Sequence, residues 1–272
     1  KVEKALAEAK KEGLASIEEV PDFREAKEIF GKDFLGPEAI KSAFGVELEE
    51  IPEIPFSKEE LEKAKELNQQ LILYIDKTRE DKPFTGEELF NLTDNKTSDN
   101  KKLFYDTDWY KDEDFFTKET PNTRWKLVSK ETIPDSTSKN YLEQTETIVS
   151  YLEDKVFKGE SLPEEYQKAI NEFDKKKKEI KKLINSDWGK AAEELENLAI
   201  TKLTRETPIE IFYRLALNVR ANKDRPLNNR YSWTSRRTSD GVLVCVGDFA
   251  SLGAHVSSRR PGHSDSPLGV SF

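Results

Sequence analysis

The sequence predicts an α+β protein, and three observations carry that prediction. Up to about residue 225 the chain is rich in Lys and Glu with apolar residues at helical spacing, whereas Pro226 to Phe272 contains neither Lys nor Glu. That closing stretch takes five of the 12 glycines and reads as short strands and turns, because β-branched residues suit pleated backbone and Gly suits turns. Two short runs inside the helical part, Leu71 to Ile75 and Arg124 to Val128, also read as strands.

The elements follow in order from local chemistry. Leu6 to Glu12 and Asp22 to Phe30 read as short helices, and Gly36-Pro37-Glu38 opens a third that Gly45 ends. Ile51 to Phe56, with Pro52 and Pro55, is a linker, so a helical N-terminal segment over residues 1–55 precedes a domain over residues 56–272. Ser57 with Glu60 forms a capping box for a helix carrying Leu61, Ala64 and Leu67 on one face, and Thr85 with Glu88 makes another. Thr93 to Lys102 is polar and aperiodic and reads as a loop.

A helix from about Ser138 to Lys155 puts Leu142, Thr145, Val149, Leu152 and Val156 on one stripe. The next, after Ser161-Leu162-Pro163-Glu164, buries Tyr166, Ile170, Phe173, Ile180 and Ile184. Its lysines 175–178 are flanked by Asp174 and Glu179 and read as a solvated face. Thr207-Pro208-Ile209-Glu210 combines an N-cap, a proline at the first helical position and a glutamate at the third. The helix it opens carries Ile209, Phe212, Tyr213, Ala216 and Val219 and is expected to pack on the sheet that follows. That sheet is expected from Tyr231 to Thr234, Val242 to Phe249, Ala254 to Val256 and Leu268 to Phe272.

Composition excludes several classes of function. Hydrophobic residues make up only 35% against 36% charged, and no run approaches the ~20 apolar residues that span a bilayer, so no membrane span is expected. A net charge of −9 disfavours a nucleic-acid partner, whose phosphates call for basic surface. One cysteine and two histidines leave too little for a structural zinc site, and neither a metal nor a cofactor is expected. Lys1 opens the sequence, methionine is absent, and no apolar leader precedes the charged start. The chain therefore reads as an internal fragment, cytoplasmic by default, with an upstream targeting segment left open.

The candidate chemistry is sparse. Cys245 lies in Val242-Leu243-Val244-Cys245-Val246, which reads as a buried strand and an inert thiol. Asp106, Asp108, Asp112, Glu113 and Asp114 form an acidic cluster without the glycine and terminal glutamate of a calcium loop. Trp125 and Trp233 read as core residues, and Trp109 with Tyr110, Phe115 and Phe116 as small-core packing. The segments 235–240 and 257–266 mix Ser, Arg, His and Asp between glycines, which suits either adaptable recognition or a plain solvated loop.

Tyr231-Ser232-Trp233-Thr234-Ser235, Gly241-Val242-Leu243-Val244-Cys245-Val246 and Leu268-Gly269-Val270-Ser271-Phe272 resemble the closing strands of the bacterial C-type-lectin-like fold. In that fold, shared with formylglycine-generating enzymes, a W-[ST]-S segment precedes a central apolar strand and a final G-V-x-F strand. Upstream, Trp125-Lys126-Leu127-Val128, Lys139-Asn140-Tyr141-Leu142-Glu143-Gln144 and Ile29-Phe30-Gly31-Lys32-Asp33-Phe34-Leu35-Gly36 resemble an uncharacterised family of reduced-genome bacterial proteins. The resemblance implies a C-type-lectin-like mixed sheet domain over residues 56–272, with a long helical insertion at about 161–221.

Similarity to targets of diversity-generating retroelements implies a non-catalytic display surface on the C-terminal loops, with an unknown protein or surface ligand as partner. The residues assigned to it are Arg236, Arg237, Asp248, Ser251, His255, Ser257, Arg259, Arg260, His263 and Asp265. Arginines would supply bidentate or stacked contacts and the others would tune hydrogen bonding. The Glu-Pro-Asn and Trp-Asn-Asp calcium words of sugar-binding relatives are missing. Formylglycine-generating catalysis needs more than the single Cys245. Two other functions stay open at the level of sequence: a scaffold that docks a partner through its acidic helical region, and an enzyme using Cys245 with His255.

Overall fold

A computed structural model describes residues 22–78 and 81–272, so the helix expected over Leu6 to Glu12 lies outside the described residues. In chain order, α1 (Phe23–Phe30), β1 (Phe34–Leu35) and α2 (Pro37–Phe44) lead to α3 (Lys58–Glu66) and β2 (Gln69–Tyr74). Then come α4 (Gly86–Thr93), α5 (Asp114–Thr117), β3 (Arg124–Ser129) and α6 (Tyr141–Tyr151), which runs on as a π-helical turn over Leu152–Val156. The helices α7 (Glu164–Ser186), α8 (Trp188–Asn197), α9 (Ala199–Thr204) and α10 (Pro208–Asn222) follow. The chain closes with β4 (Tyr231–Arg237), β5 (Leu243–Ala250), β6 (Gly253–Arg259) and β7 (Leu268–Gly269).

Two mixed sheets and the helices around them make an α+β architecture. One sheet has the order β1-β2-β3, with β1 parallel and β3 antiparallel to β2. The other has the order β6-β5-β4-β7, antiparallel except that β7 runs parallel to β4. Among the described residues no helix is long and apolar enough to cross a membrane.

Helix α10 fills the space between the sheets. Its start is fixed by the reciprocal capping box of Thr207 and Glu210 with Pro208 in the first turn, which satisfies two of the N–H groups that open a helix. Every residue from Pro208 to Val219 is buried, as a helix enclosed on all sides requires. Toward the first sheet, Tyr213 donates to the Leu73 carbonyl at 2.9 Å and its ring packs on Phe44, Phe84 and Tyr74. The same hydrophobic core takes in Val244, Val246, Phe249 and Val256 of the second sheet. Each such side chain contributes about 1.5–3 kcal/mol when fully withdrawn from water.

Strand alternation gives the second sheet a second buried face. Leu243 and Cys245 of β5 and Trp233 of β4 face a separate core with Tyr141, Phe173, Ile180 and Leu195, drawn from α6, α7 and α8. The stretch expected as an insertion, about 161–221, therefore divides between two jobs. Residues of α7 to α9 build the outer core, while α10 is the centre of the inner one. The segment before residue 55 shares the inner core too: β1 pairs with β2, and Ala26, Phe30, Ile40 and Phe44 are buried there. Lys176 pairs with Glu172 on its own helix and bridges to Glu194 of α8, and Lys177 pairs with Asp174.

The strand expected over Leu268 to Phe272 pairs with β4 only at Leu268 and Gly269. Beyond that it turns toward the first sheet, where Ile133 N–H donates to Val270 C=O at 2.9 Å and Ser129 N–H to Phe272 C=O at 2.6 Å. This path carries Ser271 into a fully buried polar cluster. Arg214 holds Glu206 in a two-pronged pair, Nε to Oε1 at 2.8 Å and Nη2 to Oε2 at 2.9 Å. Ser271 donates to Glu206 at 2.7 Å and accepts from Arg214 at 3.0 Å, and Tyr74 donates to Glu206 at 3.3 Å. Burial, reinforced by the Glu206 charge, holds the Tyr74 phenol well above its ordinary pKa, so it stays a donor.

A candidate recognition face on the second sheet

The outer-core face of the second sheet is covered by helices at β4 and β7 but opens toward water at β6. The β5–β6 hairpin turns at residues 251–252, where Leu252 is 62% exposed. Residues directly opposite on paired strands share a face. His255 lies opposite Gly247, Ser257 opposite Cys245, and Arg259 opposite Leu243. The side chains of His255, Ser257 and Arg259 thus line the open edge of the face whose other half is Trp233 and Cys245, and burial falls from half-buried His255 to exposed Arg259.

Two further groups complete this strip. Tyr105, 41% exposed, lies parallel to the His255 ring with centroids 4.6 Å apart, and Lys102 Nζ is 5.5 Å from the Tyr105 ring centre. The stack is placed by backbone pairing: Ala254 N–H donates to Leu103 C=O at 2.9 Å and Tyr105 N–H to Ala254 C=O at 2.8 Å. Gly253 permits that approach, since a Cβ there would lie 3.1 Å from both Lys102 O and Tyr105 N. Across the sheet, Tyr231 is opposite Gly247, so Tyr231 and His255 flank a position with no side chain, about 10 Å apart at two strand spacings. The Tyr231 phenol is pushed up to about 12 by burial and by the nearby Asp248 carboxylate. Arg259 is braced on its own strand, donating to Ser257 Oγ at 2.6 Å and Ser258 O at 2.9 Å.

The residues selected from sequence fall into two groups. Asp248, His255, Ser257 and Arg259 converge on the open strip, and Ser251 lies in the exposed hairpin turn beside it. The others lie away from the strip and make contacts within the fold, with Arg260 and Asp265 exposed. Arg236 pairs with Glu119 at 2.6 Å and Arg237 with Glu196 at 2.7 Å. Arg260 stacks over Trp188 at 4.8 Å. Asp265 gives its carbonyl to Ser138 N–H and its carboxylate to Ser266 N–H, and His263 N–H closes a turn onto Arg260 O. The Pro261 carbonyl accepts from Tyr141 N–H, so residues 260–265 lie against α6 and α8. Tyr105, Lys102 and Tyr231 are the participants that sequence reasoning passed over: Tyr231 reads there only as a strand residue, and Tyr105 ends the short apolar word Leu103-Phe104-Tyr105.

Cys245 lies beneath the strip, 2% exposed, and burial pushes its thiol up to about 12. A thiol in that state is a poor nucleophile. Iodoacetamide is expected to alkylate Cys245 only after unfolding, read by intact mass; modification of the native protein at a free-thiol rate would mean that solvent reaches the sulfur. In the acidic cluster, Glu113 accepts from Ser239 N–H at 2.7 Å and Oγ at 2.9 Å, and Asp114 pairs with Lys118. Tyr110, Phe115 and Phe116 are core residues, whereas Trp109 is 39% exposed.

A separate cleft of about 910 Å³ lies between α3 and β3 on one side and the π-helical turn, α7 and α9 on the other. Lys63 bridges its two sides by pairing with Glu160 at 2.7 Å. The class defined by fold and site is thus an α+β protein whose second sheet presents a mixed aromatic, cationic and anionic strip at its outer edge. No family model, no curated protein and no solved structure matches this chain.

Proposed function

We propose that the chain is a non-catalytic recognition protein, with a C-type-lectin-like framework of the kind that diversity-generating retroelements use to display ligand contacts. The observation that carries this reading is the convergence of Asp248, His255, Ser257 and Arg259, chosen from sequence, on one water-facing strip over a two-sided core. The stacked Tyr105–His255 pair offers a flat apolar surface, Arg259 a planar donor, and Asp248 an acceptor. Aromatic rings and arginine on a stiff support suit recognition, because little side-chain freedom is lost on binding. The buried, protonated Cys245 also favours binding over covalent chemistry.

The reading is tested by selecting binders from a displayed random-peptide library against the immobilised full chain. Replacing His255 and Arg259 together with alanine is expected to weaken selected peptides about ten-fold or more. The thermal midpoint should shift by no more than about 4 °C, since Arg259 is exposed and His255 is half-buried at the sheet edge, where it loses one ring stack. Unchanged affinity across the selected peptides would sink the assignment.

A further inference from the structure

The cleft beside β3 runs along a strand edge that no described residue completes. β3 is an outer strand of the first sheet. Just past its end Lys130 N–H donates to Asn68 C=O on the β2 side, whereas Ser129 N–H points outward to Phe272 C=O. Backbone groups alternate in direction along a strand, so those of Leu127 and Trp125 also point outward. No described residue hydrogen-bonds to them, and both residues line the cleft. Unpaired backbone on an open edge is a template for another strand. The surrounding side chains suit one. Half-buried Leu67, Phe157, Tyr166 and Leu203 give apolar walls. Gln69, 5% exposed, also lines the cleft, and its side-chain amide makes no hydrogen bond to a described residue. A buried amide left unpaired is costly, so an occupant that supplies its partner is favoured. Arg124 at 3.3 Å and Lys126 at 3.5 Å share the single Glu210 carboxylate, so two cations face one anion on this wall. Lys58 and Lys63 are paired with Glu25 and Glu160, and Glu59 and Glu165 lie exposed at the rim, where water screens them.

We propose that an extended peptide segment of a partner protein, with apolar and acidic residues in alternation, adds to the free edge of β3 in this cleft as the sheet's fourth strand. Main-chain pairing with Trp125 and Leu127 supplies affinity, and the alternate side chains meet the apolar walls and the Arg124–Lys126 pair. The site belongs to the first sheet and is independent of the β6 strip. The test titrates a fluorescein-labelled Val-Glu-Val-Glu-Val amide with the full chain and reads fluorescence polarisation. The same peptide is then N-methylated either at its valines or at its glutamates. In an added strand only one of these sets points at β3, so one form should lose about ten-fold or more, the worth of about two hydrogen bonds, while the other binds as the parent does. Equal affinity of the two methylated forms, or no saturable binding of the parent up to about 1 mM, would overturn the proposal. Arg124→Gln should weaken the parent peptide about three- to five-fold, the scale of a partly exposed ion pair. Unchanged affinity would place the peptide elsewhere and overturn the proposal as well. Cys245 left unlabelled by iodoacetamide checks that the variant is folded; if it is not, Lys126→Met takes its place with the same expected results.

Discussion

Replacing Glu206 with alanine is expected to lower the unfolding free energy by about 3–5 kcal/mol, read from the urea midpoint, because it strands a buried guanidinium. Arg214 is fully enclosed and spends Nε and Nη2 on Glu206. Its Nη1 has no hydrogen-bond partner even in the intact protein, so the Nη2 contact to the neutral Ser271 hydroxyl is all that would remain. Ser271 and Tyr74 lose their shared acceptor in the same step. Removing both charges, as Glu206→Leu with Arg214→Met, should cost less than the single change, because no ion is then left without its counterion. A single-variant loss below about 1 kcal/mol would mean that another carboxylate reaches Arg214; Glu131 is the nearest in electrostatic terms.

The second large effect is expected at Gly247. A Cβ there would lie 2.0 Å from the Arg230 carbonyl oxygen and 2.7 Å from Tyr231 Cα, both backbone atoms that no rotamer change can move. Its φ of 155° adds strain for any other residue. Alanine at this position must push β4 away from β5, so a loss of about 3 kcal/mol or more is expected from the thermal or urea midpoint. The same shift would separate Tyr231 from Asp248 and His255, so peptide binders selected on the native strip should lose affinity together with stability. A variant with native stability would show that β4 can retreat without harm to the core.

Locally encoded features were legible in the sequence. The capping pairs Ser57 with Glu60 and Thr207 with Glu210 both form with their two reciprocal hydrogen bonds. The strands around Leu71, Trp125 and Cys245 stand where apolar runs placed them, and Trp233 and Trp125 are buried. What could not be read depends on partners distant in the chain. Arg236 and Arg237 look free in sequence, yet their carboxylates come from Glu119 and Glu196. The break between α7 and α8 occurs at Asp187, where the Asp187 side chain caps the new helix through Lys190 N–H. Residues 260–265 are largely exposed, as their composition suggests, but are anchored to α6 and α8 by Arg260 over Trp188 and by the Pro261 carbonyl. The Tyr105–His255 stack joins two segments with no shared sequence pattern, so no reading of either one reveals it.

The period of two along β6 separates what this strand must keep from what it is free to change. Ala254 and Val256 point into the inner core, and any exchange there disturbs packing against α10. His255, Ser257 and Arg259 face the opposite side, half-buried at His255 and Ser257 and exposed at Arg259. Exchanges at Arg259 therefore leave the inner core beneath β6 untouched, whereas exchanges at Ala254 or Val256 must be absorbed by α10.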